Sequence, residues 1–154
     1  MFVFGNVILG IAKVLDVVLN IYMWIIIMTF LLALFLALAK RRDDVVLFVG
    51  TEGMARKAID GYNLVFIDTA MVIMAAVTIV AYIMYTVSID VMAKFRTDKL
   101  YVTTLFVVLG ILRYMQITFV ENKSGSPTEI LLRDGFLQLA ILGWLATFTF
   151  LIYV

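Results

Sequence analysis

The 154-residue chain has no cysteine, no histidine and a single proline, and only 15% of its side chains are charged. Each scarcity excludes something. Without cysteine there is no disulfide framework, thiolate nucleophile or thiolate metal site. Without histidine the usual imidazole bases and zinc sites are gone. Any metal site must then use oxygen ligands, which favours a hard cation such as Mg2+. A net charge of +1 provides no field for nucleic acid. No basic start and no small-residue cleavage site mark a signal peptide.

What the chain has instead is apolar surface. Hydrophobic residues make up 65% and the mean hydropathy is +1.13. A soluble domain is about 45–50% apolar and about 25% charged. There is too little polar surface here to cover a water-soluble globule. Soluble enzymes, secreted domains and disordered tails are excluded, and an integral membrane protein remains.

Crossing the hydrocarbon takes roughly 20 apolar residues at about 1.5 Å each. Ile21 to Ala39 is one uncharged run, and Tyr62 to Val87 is another with Asp68 as its one charge. Leu100 to Val120 is interrupted by Arg113, and Phe136 to Val154 carries no charge. Phe2 to Leu19 is apolar but holds Lys13 and Asp16; it reads as a fifth helix, with Asn20 marking a tight turn into the next span. The expected fold is all-α: a polytopic transmembrane helix bundle forming a single domain over residues 1–154. Residues 40–61, 88–99 and 121–134 read as polar loops. Pro127 sits in the third with Gly125 and two serines, as turn chemistry expects.

Basic residues in short loops set the orientation. The first and third loops share one side and carry Lys40, Arg41, Arg42, Arg56, Lys57, Lys123 and Arg133. The middle loop has Lys94, Arg96 and Lys99. Loops 40–61 and 121–134 are therefore expected in the cytoplasm.

The candidate chemistry lies on that same side. Lys40, Arg41 and Arg42 follow a span directly and suit a stop-transfer anchor at the headgroups. Asp43 and Asp44 beside them allow a second reading, in which the basic groups hold a phosphate and the acids a Mg2+. Asp68 lies about six residues, roughly 9 Å, inside its span. A carboxylate there costs a few kcal/mol, on the order of 3, unless it is paired or faces a wet cavity. Arg113 lies at similar depth in its own span. Either the two pair with each other, or they border a polar cavity in which Arg113 binds an anion and Tyr62, Tyr114 and Gln116 line the rim. Glu129 and Arg133 are four apart and pair if that stretch is helical; alternatively Arg133 faces the cavity. Lys13 and Asp16 are three apart and suit a pair. Met71, Met74 and Met84 suit packing, and Trp24 and Trp144 suit packing or interfacial anchoring.

Three stretches carry a resemblance: FLALAKRRDDVV, then RKAIDGYNLVFIDTAMVIMAAVTIVAYIMYTVS, then GILRYMQITFVENKSGSPTEILLRD. Over about residues 22–154 the chain resembles the C-terminal half of bacterial UbiA-superfamily membrane transferases, closest to the decaprenyl-phosphate phosphoribosyltransferase type. The resemblance implies half of a nine-span helical bundle with a cytoplasm-facing cavity, in the bacterial inner membrane. It implies Mg2+-dependent transfer of a phosphoribosyl or prenyl group from a diphosphate donor to a polyprenyl phosphate or other lipid acceptor. Carried over by residue, KRRDD (Lys40 to Asp44) matches the family's second polar motif. Tyr62 and Asp68 match the start of its seventh span, Arg113 and Tyr114 its eighth. Glu129, Arg133 and Asp134 match the segment before its ninth. Asp43, Asp44 and Asp68 become the metal candidates, with Asp44 and Asp68 catalytic. Lys40, Arg41, Arg42, Tyr62, Arg113, Tyr114 and Arg133 become the substrate-binding ones.

The family's first acidic motif, NDxxDxxxD, is absent from this chain. That motif supplies most of the Mg2+ ligands, so the chain is expected to be inactive alone, as a truncated frame, a fragment or one part of a split enzyme. The main rival is a non-enzymatic lipid-binding or interaction protein. A small transporter ranks lower, because the intramembrane charges stop in the cytoplasmic half.

Overall fold

In the computed structural model the backbone is described for residues 2–49, 54–121 and 126–154, and side chains for all of these except 47–49 and 54–63. The elements are α1 (Phe2–Val49), α2 (Met54–Thr86), α3 (Ile89–Phe95), a 3₁₀ turn (Leu100–Thr103), α4 (Thr104–Phe119), α5 (Pro127–Arg133) and α6 (Gly135–Tyr153). There is no strand among the described residues. Among the described residues, four helical stretches are long and apolar enough to cross a membrane: Phe2–Val46, Leu64–Thr86, Leu100–Phe119 and Gly135–Tyr153. The chain is an all-α, multi-pass membrane protein.

Two boundaries differ from the expected ones. The first concerns Asn20, which makes no turn. α1 continues through it for 48 residues, roughly 72 Å at 1.5 Å per residue. The separate N-terminal helix and the next span are thus one element. A lone asparagine costs under about 1 kcal/mol inside a helix, and no glycine or proline adjoins it to reverse the chain. Its side chain is used across elements instead, donating from Nδ2 to Asp90 Oδ2 at 3.1 Å.

The second concerns the loops, which are largely helical. α1 carries KRRDD and runs to Val49, because apolar residues resume at once after Asp44. α5 occupies half of 121–134. Pro127 starts it at the position where a missing N–H costs nothing, and Ser126 Oγ accepts from Glu129 N at 3.3 Å. The middle connection contains α3, which ends on Arg96 in the left-handed region (φ 52°).

Apolar side chains cover the outside of the bundle as well as its interior: Val65, Phe66, Leu139 and Leu142 are each more than 60% exposed. In lipid that surface needs no cover, and close packing rather than hydrophobic exclusion holds the helices together. One cluster joins Phe35, Ala39, Ile67, Met71, Ile111, Tyr114, Ile130 and Leu137. A second, towards the Asn20 end, joins Ile21, Tyr82, Tyr85, Val91 and Leu100, flanked by Trp24, Trp144 and Phe148. Within it a chain of hydrogen bonds ties α6, α2 and the 3₁₀ turn together. Trp144 Nε1 donates to Tyr82 OH at 2.7 Å. Tyr82 and Thr103 hydroxyls lie 2.7 Å apart. Thr103 gives its proton to the Leu100 carbonyl at 2.6 Å, so Tyr82 is the donor to Thr103. Every donor in the chain is used, as a buried polar group requires.

Candidate functional site

Helical geometry divides KRRDD. Five successive residues spread around more than one turn, so only part of the motif faces inward. Phe35, Ala39 and Arg42 follow the four-three spacing of one helix face and are all buried. Lys40, Arg41 and Asp44 are exposed.

Arg42 is only 4% exposed, and it connects three helices. Its Nε donates to Asp68 Oδ1 on α2 at 2.6 Å. Its Nη1 donates to the Thr118 carbonyl on α4 at 2.8 Å. The Phe119 ring lies under the guanidinium, 5.1 Å from centroid to Cζ. Thr118 is in the last turn of α4, where carbonyls have no intrahelical partner and the helix dipole favours a cation. One buried arginine therefore neutralises an acid, caps a helix end and stacks on an aromatic ring. Beside it, Asp43 has a carboxylate oxygen that is buried without a hydrogen-bond partner. This carboxylate is close enough to Tyr114 to act on it electrostatically.

Arg113 is elsewhere. Its Nε and Nη2 form a two-pronged contact with Asp134, at 3.1 and 2.9 Å. Its Nη1 donates to Gln116 Oε1 at 3.0 Å and lies 3.5 Å from Glu121 Oε1. Asp134 Oδ2 also accepts from Leu137 N at 3.0 Å, capping α6. The Arg113 hydrogen bond holds the Asp134 carboxyl below the usual carboxylate range.

Asp68 and Arg113 thus form neither a mutual pair nor a shared cavity. Arg113 and the Thr118 carbonyl used by Arg42 are five residues apart, roughly 140° around α4. Two carboxylates and an amide surround Arg113, which also lines a shallow cleft with Leu109, Leu112, Gln116 and Phe136. Arg133 does not face a cavity. It is 80% exposed and pairs with Glu129 at 2.8 Å on the outer side of α5. Tyr62 has its side chain outside the described residues.

Tyr114 is buried, with its ring 5.5 Å from that of Phe35. It also forms part of the floor of a cleft of about 240 Å³. Leu32 and Leu36 of α1 face Leu137 and Ile141 of α6 across this cleft, and Gly110 continues the floor. The walls are apolar, and the cleft lies in the span-forming part of the bundle.

The acids do not assemble a metal site by themselves. No group of three or more acidic side chains suited to a metal occurs among the described residues. Asp68 is taken by Arg42, Asp44 points outward, and Asp43 alone has a buried oxygen left over. These residues do not fit a Mg2+ ion without ligands from elsewhere.

Two partners escaped the reading from sequence. The Thr118 carbonyl had a signal, since it falls at the end of a span where backbone acceptors are unpaired. The Tyr82–Thr103–Trp144 chain had none, because three common residues on separate elements carry no spacing. Comparison with protein-family models, with curated proteins and with solved structures finds no match.

Proposed function

We propose that this chain is the C-terminal half-bundle of a UbiA-type membrane transferase of the bacterial plasma membrane. It acts on a diphosphate donor, phosphoribosyl or prenyl, and on a polyprenyl phosphate or other lipid acceptor. The observation that carries this reading is the buried Arg42, bonded to Asp68 and on the same face of α1 as Phe35, which lines an apolar cleft open to lipid-chain chemistry. In this reading Arg42, with the exposed Lys40 and Arg41, stabilises phosphate charge at the headgroup level. Asp68 holds Arg42 in place, and Tyr114 separates the charged centre from the hydrocarbon. The Mg2+ ligands come mainly from the other half, and the isolated chain does not transfer.

The test is a transfer assay with radiolabelled phosphoribosyl diphosphate and polyprenyl phosphate in vesicles. The expected result is no product from this chain alone, and product when a half carrying NDxxDxxxD is co-expressed, abolished by Arg42→Gln. Product from the chain alone, or product indifferent to Arg42, overturns it.

One observation favours a second reading, a lipid-binding protein without catalysis: both inward-facing arginines already have carboxylate partners. It expects lipid retention that survives Arg42→Gln, and no product with any complementing half.

A further inference from the structure

α5 borders the cleft at the end nearest Tyr114 and Leu137. Ile130 turns inward, 7% exposed, into the cluster containing Phe35, Tyr114 and Leu137. Leu131 forms part of the cleft wall. Glu129 and Arg133 occupy the outer side. α5 touches both α1 and α6, the two walls that the cleft separates. A helix of two turns has little stability of its own, so its contacts and its ends decide where it lies.

The C-terminal end is unusual. Asp134 alone separates α5 from α6, ending one helix and starting the next with extended backbone (φ −91°, ψ 112°). Its carboxylate holds Arg113 through two bonds and caps α6 through a third. One residue is the joint between α5 and α6, the cap of α6 and the ionic tie to α4.

We propose that α5 is a movable cap over the Tyr114 end of the cleft, latched to α4 by the Arg113–Asp134 pair. Latched, Leu131 forms part of the cleft wall and Ile130 packs against the cluster beside it. Unlatched, the α5–α6 elbow at Asp134 leaves α4 and carries α5 with it, opening the cleft towards the level of the exposed Lys40 and Arg41. A lipid whose chain lies in the cleft can then place its polar end there. Glu121, 3.5 Å from Arg113, keeps a carboxylate beside the guanidinium when Asp134 leaves, so release does not strand a bare charge. The cap does not depend on which chemistry the Arg42 centre performs.

The absence of native cysteine makes the test direct. Ile130→Cys is introduced into the full chain in phospholipid vesicles, with and without Arg113→Gln, and reacted with a water-soluble maleimide. Met71→Cys, at a position 0% exposed in the core, reports general loosening. The expected result is slow labelling of Ile130→Cys that accelerates about threefold to fivefold with Arg113→Gln, the size of effect a partly exposed ion pair supports, while Met71→Cys does not change. Equal Ile130→Cys rates with and without Arg113, or equal acceleration at Met71→Cys, overturns the proposal. Should Ile130→Cys disturb packing, spin labels on the exposed positions Lys40 and Leu132 replace it. Their distance distribution then lengthens with Arg113→Gln, and an unchanged distribution overturns the cap.

Discussion

Arg42 and Asp68 meet at 2.6 Å, but they are not equally removed from solvent. The Arg42 side chain is 5% exposed and that of Asp68 is 35% exposed. An ion pair with one wet end and one dry end has an asymmetric response to mutation. Removing the dry partner leaves a carboxylate that water or headgroups can solvate. Removing the wet partner leaves a buried guanidinium with only the Thr118 carbonyl and the Phe119 ring.

Asp68→Ala is therefore expected to destabilise the fold by about 3 kcal/mol. Arg42→Met is expected to cost only about 1–2 kcal/mol, mostly for the Thr118 carbonyl it leaves unpaired. The double variant should be close to Arg42→Met alone, because neither charge then remains buried. Unfolding by SDS titration of the three variants measures this. Equal costs for the two single variants would refute the asymmetry.

Tyr82→Phe removes one atom from the Trp144–Tyr82–Thr103–Leu100 chain and orphans the Trp144 N–H. Interhelical hydrogen bonds in membranes average about 0.6 kcal/mol, with a ceiling near 1.7. An expected loss of about 1–2 kcal/mol follows, since two bonds go at once. In a Trp24→Phe background, Trp144 fluorescence should shift as its indole loses the phenol. A stability and emission identical to the parent would show that the chain contributes nothing.

The spans were legible because they are long runs with at most one charge each: α6 starts and stops within one residue of its run, and α2 ends one residue before Val87 but starts eight residues before Tyr62. Two things were not. Charge marks the edge of the hydrocarbon but not the end of a helix, so α1 carries KRRDD onward into VVLFV. That Asp68 and Arg113 fall inside apolar runs was readable, but their partners were not. An expected shared level suggested one cavity, whereas Asp68 meets Arg42, whose other bond is to the Thr118 carbonyl five residues along α4 from Arg113, and Arg113 goes to the α5–α6 elbow. The Glu129–Arg133 pair needed only the local spacing of four, and that one could be read.

The Asp134 carboxyl titrates below its usual range, chiefly through its hydrogen bonds from Arg113. A depressed acid contributes stability above the unfolded carboxylate pKa of about 3.9, and that contribution is lost as pH falls through the lower folded value. Between pH 8 and about 5 the Arg113–Asp134 contribution should not change. Below about pH 4 the parent should lose stability faster than Asp134→Asn, whose curve lacks this titration. Unfolding midpoints measured across that range check it. Parallel curves would mean the pair contributes nothing to the fold.

Two glycines on facing helices give opposite expectations. A Cβ on Gly143 of α6 would sit 2.6 Å from the Phe106 ring of α4, while one on Gly110 meets nothing within 4 Å. Gly110→Ala should be neutral or stabilising by up to about 1 kcal/mol, because alanine is the better helix former. Gly143→Ala forces Phe106 aside in a packed interface and should cost about 1–3 kcal/mol. Phe106→Leu is expected to recover much of that loss, since the clash is with the ring carbons alone. If Gly143→Ala proves as mild as Gly110→Ala, α4 and α6 are not in the close contact that defines one side of the cleft.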